Sequence, residues 1–136
     1  MRPMFRRLSL TFALLLPLLL AACSSMSPKP KLDMRVEYGH AVRWSDWDMA
    51  WQFIDPATRT SAALPAEELD RRKDVKVSGY AVRDAAQQPD GTIKQRVEIH
   101  YVDQATQIEH VKRVDEVWRT DDEGEHWWLT TGLPEF

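Results

Sequence analysis

The sequence predicts an α+β fold in which helices precede an antiparallel sheet. Between residues 34 and 55, apolar side chains recur at spacings of three and four, which is the period of a helix. Beyond Lys73 the apolar period becomes two, which is the period of a strand. Turn sequences divide this second part into four segments. We therefore expect a meander of four strands, with the helices covering one face of the sheet.

Residues 1–22 have the layout of an export signal. Positive charge comes first, at Arg2, Arg6 and Arg7, and an apolar run follows over residues 8–20. This run is shorter than the roughly 20 residues that cross a bilayer, and polar residues interrupt it. The pattern predicts a signal peptide that is removed, and it argues against a permanent transmembrane helix.

The signal ends in Leu20-Ala21-Ala22-Cys23, which includes the only cysteine of the chain. The two alanines leave room for a peptidase, and a thiol is the nucleophile that accepts a diacylglyceryl group as a thioether. The stretch resembles the lipobox of bacterial lipoproteins, and the resemblance covers residues 1–23. It implies signal peptidase recognition at Leu20, Ala21 and Ala22, and lipid attachment at Cys23. An ordinary secretory signal that leaves a free thiol is the alternative.

The lipoprotein resemblance also implies a location. Members of this family carry a diacylglyceryl group on the cysteine and usually a third chain, such as palmitate, on its amine. Two or more acyl chains give stable anchoring, whereas one gives only reversible binding. In Gram-negative members an aspartate after the cysteine favours the inner membrane, and this chain has Ser24 there. We therefore expect an outer-membrane protein that faces the periplasm and contacts the lipid bilayer through Cys23.

The chain beyond the signal is acidic. Three of the 18 basic residues and none of the 21 acidic ones lie in residues 1–22, so the mature part has 15 basic and 21 acidic residues, a net charge of −6. This charge argues against binding to nucleic acid or to anionic lipid. Residues 23–33 contain serines and two prolines, which is typical of a tether. Residues 34–136 are enough for a single domain with its own core.

A long N-terminal helix is predicted over residues 34–55. Trp44, Trp47, Trp51 and Ile54 fall at spacings of three, four and three, which places them on one face. A second apolar stripe widens this face and is formed by Val42, Met49 and Phe53. The tryptophans have two interpretations: they line a pocket for an apolar ligand, or they form core against the sheet. The sequence favours the core.

The remaining elements are a short helix and four strands. The helix is predicted over residues 64–69, where Pro65 suits the first helical position. The predicted strands cover residues 75–83, 92–103, 107–119 and 125–131, with turns at 88–91, 104–106 and 121–124. In the second strand one face is apolar, and the other carries Lys94, Arg96, Glu98 and His100.

Two segments resemble parts of the small NTF2-like domains. They are Arg-Trp-Ser-Asp-Trp-Asp-Met-Ala at 43–50, for the opening helix, and Trp-Trp-Leu-Thr at 127–130, for the closing strand. The resemblance spans most of residues 34–136 and implies a long N-terminal helix in the concavity of a strongly curved antiparallel sheet. The family usually has a further strand between its early helices, and residues 58–69 leave little room for one. A cystatin-like arrangement, one helix on an antiparallel sheet, is the alternative.

The NTF2-like resemblance implies two classes of function. Some members are isomerases or dehydratases with an acidic residue or a histidine in the cone, and others are binding or dimerising modules. The candidates for an enzyme are Asp46, Asp48, Glu98, His100, His110 and Asp115. Glu98 and His100 have the spacing of an acid–base pair on one strand face. That face also carries lysine and arginine, which indicates a solvent-facing pair, so we predict no catalytic residue.

No metal site or cofactor is predicted. The four histidines follow no ligand spacing, and the domain has no cysteine to assist them. These histidines are His40, His100, His110 and His126.

These patterns together predict a membrane-anchored periplasmic lipoprotein whose domain is a non-catalytic binding or structural module of the cell envelope. Its expected partner is an envelope protein, or a second copy bound through the open face of the sheet. The alternative is a small NTF2-like enzyme or an apolar-ligand carrier that uses a cavity lined by Trp44, Trp47 and Trp51.

Overall fold

The structure is a computed structural model that describes residues 33–121 and 124–136. The predicted signal peptide, the predicted lipidation residue Cys23 and residues 24–32 of the predicted tether lie outside the described residues. Within the described residues three short helices come first: α1 (Met34–Arg43), α2 (Trp47–Trp51) and α3 (Ala66–Asp70). Four strands follow: β1 (Val75–Gln87), β2 (Ile93–Asp103), β3 (Ile108–Thr120) and β4 (Trp127–Leu129). The predicted α+β class is confirmed.

The strands pair in the order β1-β2-β3-β4, and each is antiparallel to the next. This order confirms the predicted four-stranded meander and leaves β1 and β4 at the edges of an open sheet. β1 continues beyond its predicted end at residue 83. Its register shifts between Val77 and Gly79 and again between Val82 and Asp84. Such bulges bend a strand and increase its twist.

The single helix predicted over residues 34–55 is not observed, because a turn divides it into α1 and α2. Ser45 has a left-handed φ of 57°. Its N–H donates to the Val42 carbonyl at 2.9 Å, and the Asp46 N–H donates to the Ala41 carbonyl at 2.8 Å. These two bonds form a Schellman motif, which ends a helix. The Asp46 carboxylate then accepts the Met49 N–H at 3.0 Å and caps α2.

The core between α1 and the sheet centres on Tyr38. Its ring is fully buried and meets those of Phe53, Tyr80 and Trp118 edge to face, with centroids between 5.2 and 6.2 Å apart. The next residue, Gly39, lies directly on Tyr80, because a Cβ at position 39 would be 2.7 Å from the tyrosine Cε1. The missing side chain therefore lets α1 approach β1 closely.

The segment after α2 joins the far edge of the sheet. Ile54 forms a parallel bridge with Leu129 of β4. The neighbouring Asp55 is 3% exposed, and its carboxylate is held by the Arg119 guanidinium, whose Nη2 donates to Oδ1 at 2.7 Å and whose Nε donates to Oδ2. The hydrogen bond from Arg119 lowers the pKa of Asp55. Among the described residues, no helix has both the length and the apolar character needed to span a bilayer.

Candidate functional site

The predicted tryptophan face is divided by the turn between α1 and α2. Trp47, Trp51 and Ile54 are 4%, 6% and 2% exposed, whereas Trp44 is 74% exposed. The indole N–H of Trp51 is satisfied by the Ser61 carbonyl at 3.1 Å. The buried members of the face belong to the hydrophobic core. They form no ligand cavity with Trp44 in the part of the chain that the structure describes.

The predicted acid–base pair lies on the outer face of the sheet. His100 Nε2 is 3.1 Å from Glu98 Oε1, and Arg83 donates to the same oxygen at 2.8 Å. Arg113 Nε lies 3.5 Å from the other oxygen. The hydrogen bond from Arg83, followed by the one involving His100, lowers the pKa of Glu98 to about 2. A carboxylate held ionised in this way is poorly matched to proton transfer near neutral pH.

The other enzyme candidates are separate from one another. Asp46 caps α2, whereas Asp48 and His110 are exposed. Asp115 accepts from Arg96 on the outer face at 3.1 Å. The structure does not bring these side chains together into one site.

The histidines that the sequence analysis considered as metal ligands lie apart from one another. His40 lies on α1, and His126 packs against Trp128 with ring centroids 4.0 Å apart. Within residues 33–121 and 124–136, no group of three histidine or acidic side chains is placed to hold a metal ion.

A buried carboxylate that the sequence interpretation missed lies beneath α1. Glu116 is 1% exposed. Its carboxylate accepts from the Tyr80 hydroxyl at 2.9 and 3.0 Å, from Gln95 Nε2 at 2.7 Å and from Trp118 Nε1 at 3.2 Å. We call these four residues the Glu116 cluster. Gln95 was the available signal, because it occupies an apolar position of the alternating strand, and Glu116 is its direct partner on β3.

Burial controls the electrostatics of the Glu116 cluster. Loss of hydration raises the pKa of Glu116, and the hydrogen bonds from Gln95, Tyr80 and Trp118 oppose this effect. Burial, then the nearby negative charge of Glu116, raises the pKa of the Tyr80 hydroxyl far above its ordinary value. Tyr80 is therefore a hydrogen-bond donor to Glu116 and not a source of protons.

A cleft of about 620 Å³ lies between α1 and β1, and we call it the α1–β1 cleft. Val36 on the helix and Val82 on the strand give it apolar walls, and they are 48% and 49% exposed. Tyr80 and Gln95 also line the cleft, whereas Glu116 does not. Two members of the Glu116 cluster therefore separate the buried carboxylate from the cleft. The volume is in the range of small-ligand sites.

The rim of the cleft carries more positive than negative charge. Arg35 is neutralised by Asp33, which accepts from it at 2.6 and 3.1 Å. Arg43 donates from Nη1 to the Val77 carbonyl at 2.9 Å, and His40 lies one turn before it on α1. Arg43 has no ion-pair partner among the described residues. The cleft thus combines apolar walls with unneutralised positive charge.

Comparisons with known proteins identify no relative of this chain, so the interpretation of the site depends on its own geometry. No protein-family model, no curated protein and no solved structure matches this chain.

Proposed function

We propose that this chain is an outer-membrane lipoprotein whose periplasmic domain is a non-catalytic binding module of the cell envelope, and that the α1–β1 cleft is its binding site. The observation that carries the proposal is the cleft itself, an open space with apolar walls beside a helix and a sheet edge. Surfaces of this kind on small proteins commonly bind ligands or partner segments.

The surroundings of the carboxylates support binding without catalysis. Glu116 is covered by Tyr80 and Gln95, so an occupant of the cleft meets those two side chains first. Glu98 is on the opposite face and is neutralised by arginines. A general acid or base has to reach the proton that it transfers within about 3 Å. Neither carboxylate meets this requirement for a molecule in the cleft.

The lipobox at residues 20–23 supports the anchoring part of the proposal. Ala21 and Ala22 match the peptidase requirement for small side chains before the lipidated residue, and Cys23 is the only cysteine of the chain. A tether of about ten residues reaches roughly 30 Å when extended. This reach would keep the domain close to the membrane surface.

We also propose that the domain is NTF2-like. Support comes from the order of the elements and from α1, which covers one face of an antiparallel sheet. The short α1 and the turn at Ser45 differ from the long opening helix that the family is expected to have.

The anchoring is tested by metabolic labelling with radioactive palmitate in a Gram-negative host. We expect label on the wild-type chain and none on Cys23→Ser, which should accumulate as the uncleaved precursor. Ser24→Asp is the matched control, because it should keep the label and move the protein from the outer to the inner membrane. Label on Cys23→Ser would contradict the lipoprotein proposal.

The binding function is tested by native mass spectrometry of the chain purified from membranes in detergent. A retained small molecule that is lost in Val82→Arg would identify the cleft as a carrier site, which is the alternative to a protein-binding module. A bare protein would direct the search to protein partners. A retained molecule that Val82→Arg does not affect would contradict the cleft as the binding site.

A further inference from the structure

We propose that the α1–β1 cleft binds an extended segment of a partner protein, which pairs with β1 as a fifth strand and places alternate side chains in the cleft. This inference rests on the proposed binding function and names the class of partner. Three independent features carry it: the free edge of β1, the apolar cleft beside that edge, and the charge on the rim.

The edge of β1 is occupied at one end, and no described residue pairs with it at the other. The Val77 N–H donates to Ser45 Oγ at 3.1 Å, and its carbonyl accepts from Arg43 at 2.9 Å, so the turn after α1 occupies the edge there. Near the other end, the Gln88 N–H donates towards β2, to the Thr92 carbonyl, at 2.8 Å.

The direction of that bond fixes the neighbouring backbone groups. Backbone groups alternate between the two sides of an antiparallel strand. The N–H and C=O of Ala85 and Gln87 therefore point away from β2, and both residues are exposed. β1 is an edge strand, so no strand lies on that side among the described residues. Free groups of this kind are what an added peptide strand uses.

The cleft lies where the side chains of an added strand would point. Val82 and Ala85 face α1 from β1, and Val36 faces them from the helix. Side chains of a strand alternate between its two faces, so every second residue of an added peptide would lie between these walls. The walls are apolar, which favours apolar side chains at those positions.

The charge on the rim favours a carboxylate in the peptide. Arg43 uses only Nη1 in its bond to Val77, and His40 lies beside it on the rim. Charge-assisted hydrogen bonds to a carboxylate are stronger than neutral ones. An acidic residue or a chain terminus near the Arg43 end of the cleft would therefore add to affinity.

Charged residues on the edge limit indiscriminate pairing. Arg83 and Asp84 lie on the free part of β1, beside the second bulge. Charges and bulges on edge strands disfavour aggregation. The edge is therefore suited to a partner whose charges fit, and a second copy of the chain has to be tested as a competing occupant.

The test begins with a phage library of random twelve-residue peptides, panned against the full chain purified from membranes in detergent. Selected peptides are synthesised and titrated calorimetrically against the wild type, Ala85→Pro and Val36→Arg. Proline at 85 removes an outward N–H and leaves the β1–β2 bonds intact, whereas arginine at 36 fills the cleft. We expect a loss of at least tenfold in affinity for each variant. The library should yield alternating apolar sequences with an acidic residue.

A second measurement does not depend on the folding of Ala85→Pro. Two series of peptides carry N-methyl groups on alternate nitrogens, one on the odd and the other on the even positions. One series should lose binding, because its methyl groups replace the N–H groups that pair with β1, and the other should bind unchanged. One outcome would overturn strand pairing and keep the proposed cleft function. In that outcome Val36→Arg removes binding, whereas Ala85→Pro and both N-methyl series leave it intact. No enriched peptide, or peptides insensitive to Val36→Arg, would also overturn the inference. A dimer that forms without peptide and that Ala85→Pro dissociates would show that a second copy of the chain pairs with the edge of β1. That result would also overturn the inference.

Discussion

At the scale of single residues, the Glu116 cluster places a carboxylate among neutral donors. Tyr80, Gln95 and Trp118 supply the hydrogen bonds, and burial raises the pKa of Glu116 above 4.5, its ordinary value. A group with a raised folded pKa binds its proton more tightly in the native state. Its contribution to stability is therefore complete below pH 4.5 and is lost as the pH rises through the folded pKa.

The prediction is that Glu116→Gln flattens the pH dependence of stability. The amide keeps an acceptor for the three donors and cannot ionise, so the decline above pH 4.5 that Glu116 causes should disappear. Each unit of raised pKa corresponds to about 1.4 kcal/mol of lost stability in the wild type at high pH. Urea unfolding at several pH values between 4.5 and 8 measures the difference. Identical pH slopes for the two proteins would contradict the prediction.

Glu98→Gln is the matched control for Glu116→Gln. The pKa of Glu98 is lowered to about 2 by Arg83 and His100, so its contribution is present above pH 4.5 and is lost as the pH falls. The free energy of unfolding of Glu98→Gln should therefore fall below the wild-type value at neutral pH and approach it near pH 2. The slope of stability against pH is therefore expected to change above pH 4.5 in Glu116→Gln and below pH 4.5 in Glu98→Gln.

The Glu116 cluster also shows what residue patterns can predict. Alternation along β2 correctly indicates that Ile93, Val97 and Ile99 face inwards, and the same count places Gln95 there. The identity of its partner depends on the β2–β3 register, which joins residues 21 positions apart. The carboxylate opposite Gln95 can therefore be predicted only when the register between β2 and β3 is known.

At the scale of elements, the strands were predictable because their signals are local. Alternation and turn residues located all four strands, with errors at their ends. The division of the first helix was not predicted, because apolar spacings of three and four continue through the turn at Ser45. Part of the stabilisation of this turn comes from Val77, whose N–H donates to Ser45 Oγ from 32 positions away. Helical periodicity contains no information about that contact.

The close packing of α1 on β1 predicts an unusual effect of Gly39→Ala. In an exposed helix this change stabilises by up to about 1 kcal/mol. At position 39 the new Cβ would meet the Tyr80 ring at 2.7 Å, and that ring is held by Glu116 and Tyr38. We expect a loss of about 1–3 kcal/mol in the free energy of unfolding, as for overpacked sites.

The measurement for Gly39→Ala is urea unfolding, with Tyr80→Leu as the background for comparison. The smaller leucine should leave room for the added methyl group, so Gly39→Ala should cost less in that background. A stabilised Gly39→Ala protein would show that α1 does not pack closely on Tyr80.

The turn at Ser45 predicts that neighbouring tryptophans differ in their contributions to stability. Trp47→Ala should cost about 3–5 kcal/mol, as for other buried aromatic side chains. Trp44→Ala should change the free energy of unfolding by no more than about 0.5 kcal/mol, because the side chain is 74% exposed. Urea unfolding measures both, and acrylamide quenching should identify Trp44 as accessible. Equal costs would indicate that a continuous helix buries both residues.

At the scale of the whole molecule, Arg72 joins the helices to the last residues of the chain. It is 4% exposed, and its Nε and Nη2 donate to the Pro134 carbonyl at 3.2 and 3.0 Å. Its Nη1 donates to the Glu68 carboxylate at 2.7 Å, and its guanidinium lies 5.7 Å from the Trp47 ring centroid. The planar guanidinium reaches all three partners at once, which a lysine cannot do. One side chain thus connects α2, α3 and the C-terminal segment.

The arrangement around Arg72 predicts that two adjacent arginines contribute unequally. Arg72→Met should lower the free energy of unfolding by about 1.5–3 kcal/mol, because the Pro134 carbonyl and Glu68 lose charge-assisted hydrogen bonds. Arg71→Met is the matched control: Arg71 binds the other oxygen of Glu68, but its side chain is 63% exposed, and exposed pairs contribute about 0–1 kcal/mol. Urea unfolding of both variants provides the test. If the two costs were equal, the loss would reflect only the charge near α3, and Arg72 would not hold the C-terminal segment against the helices.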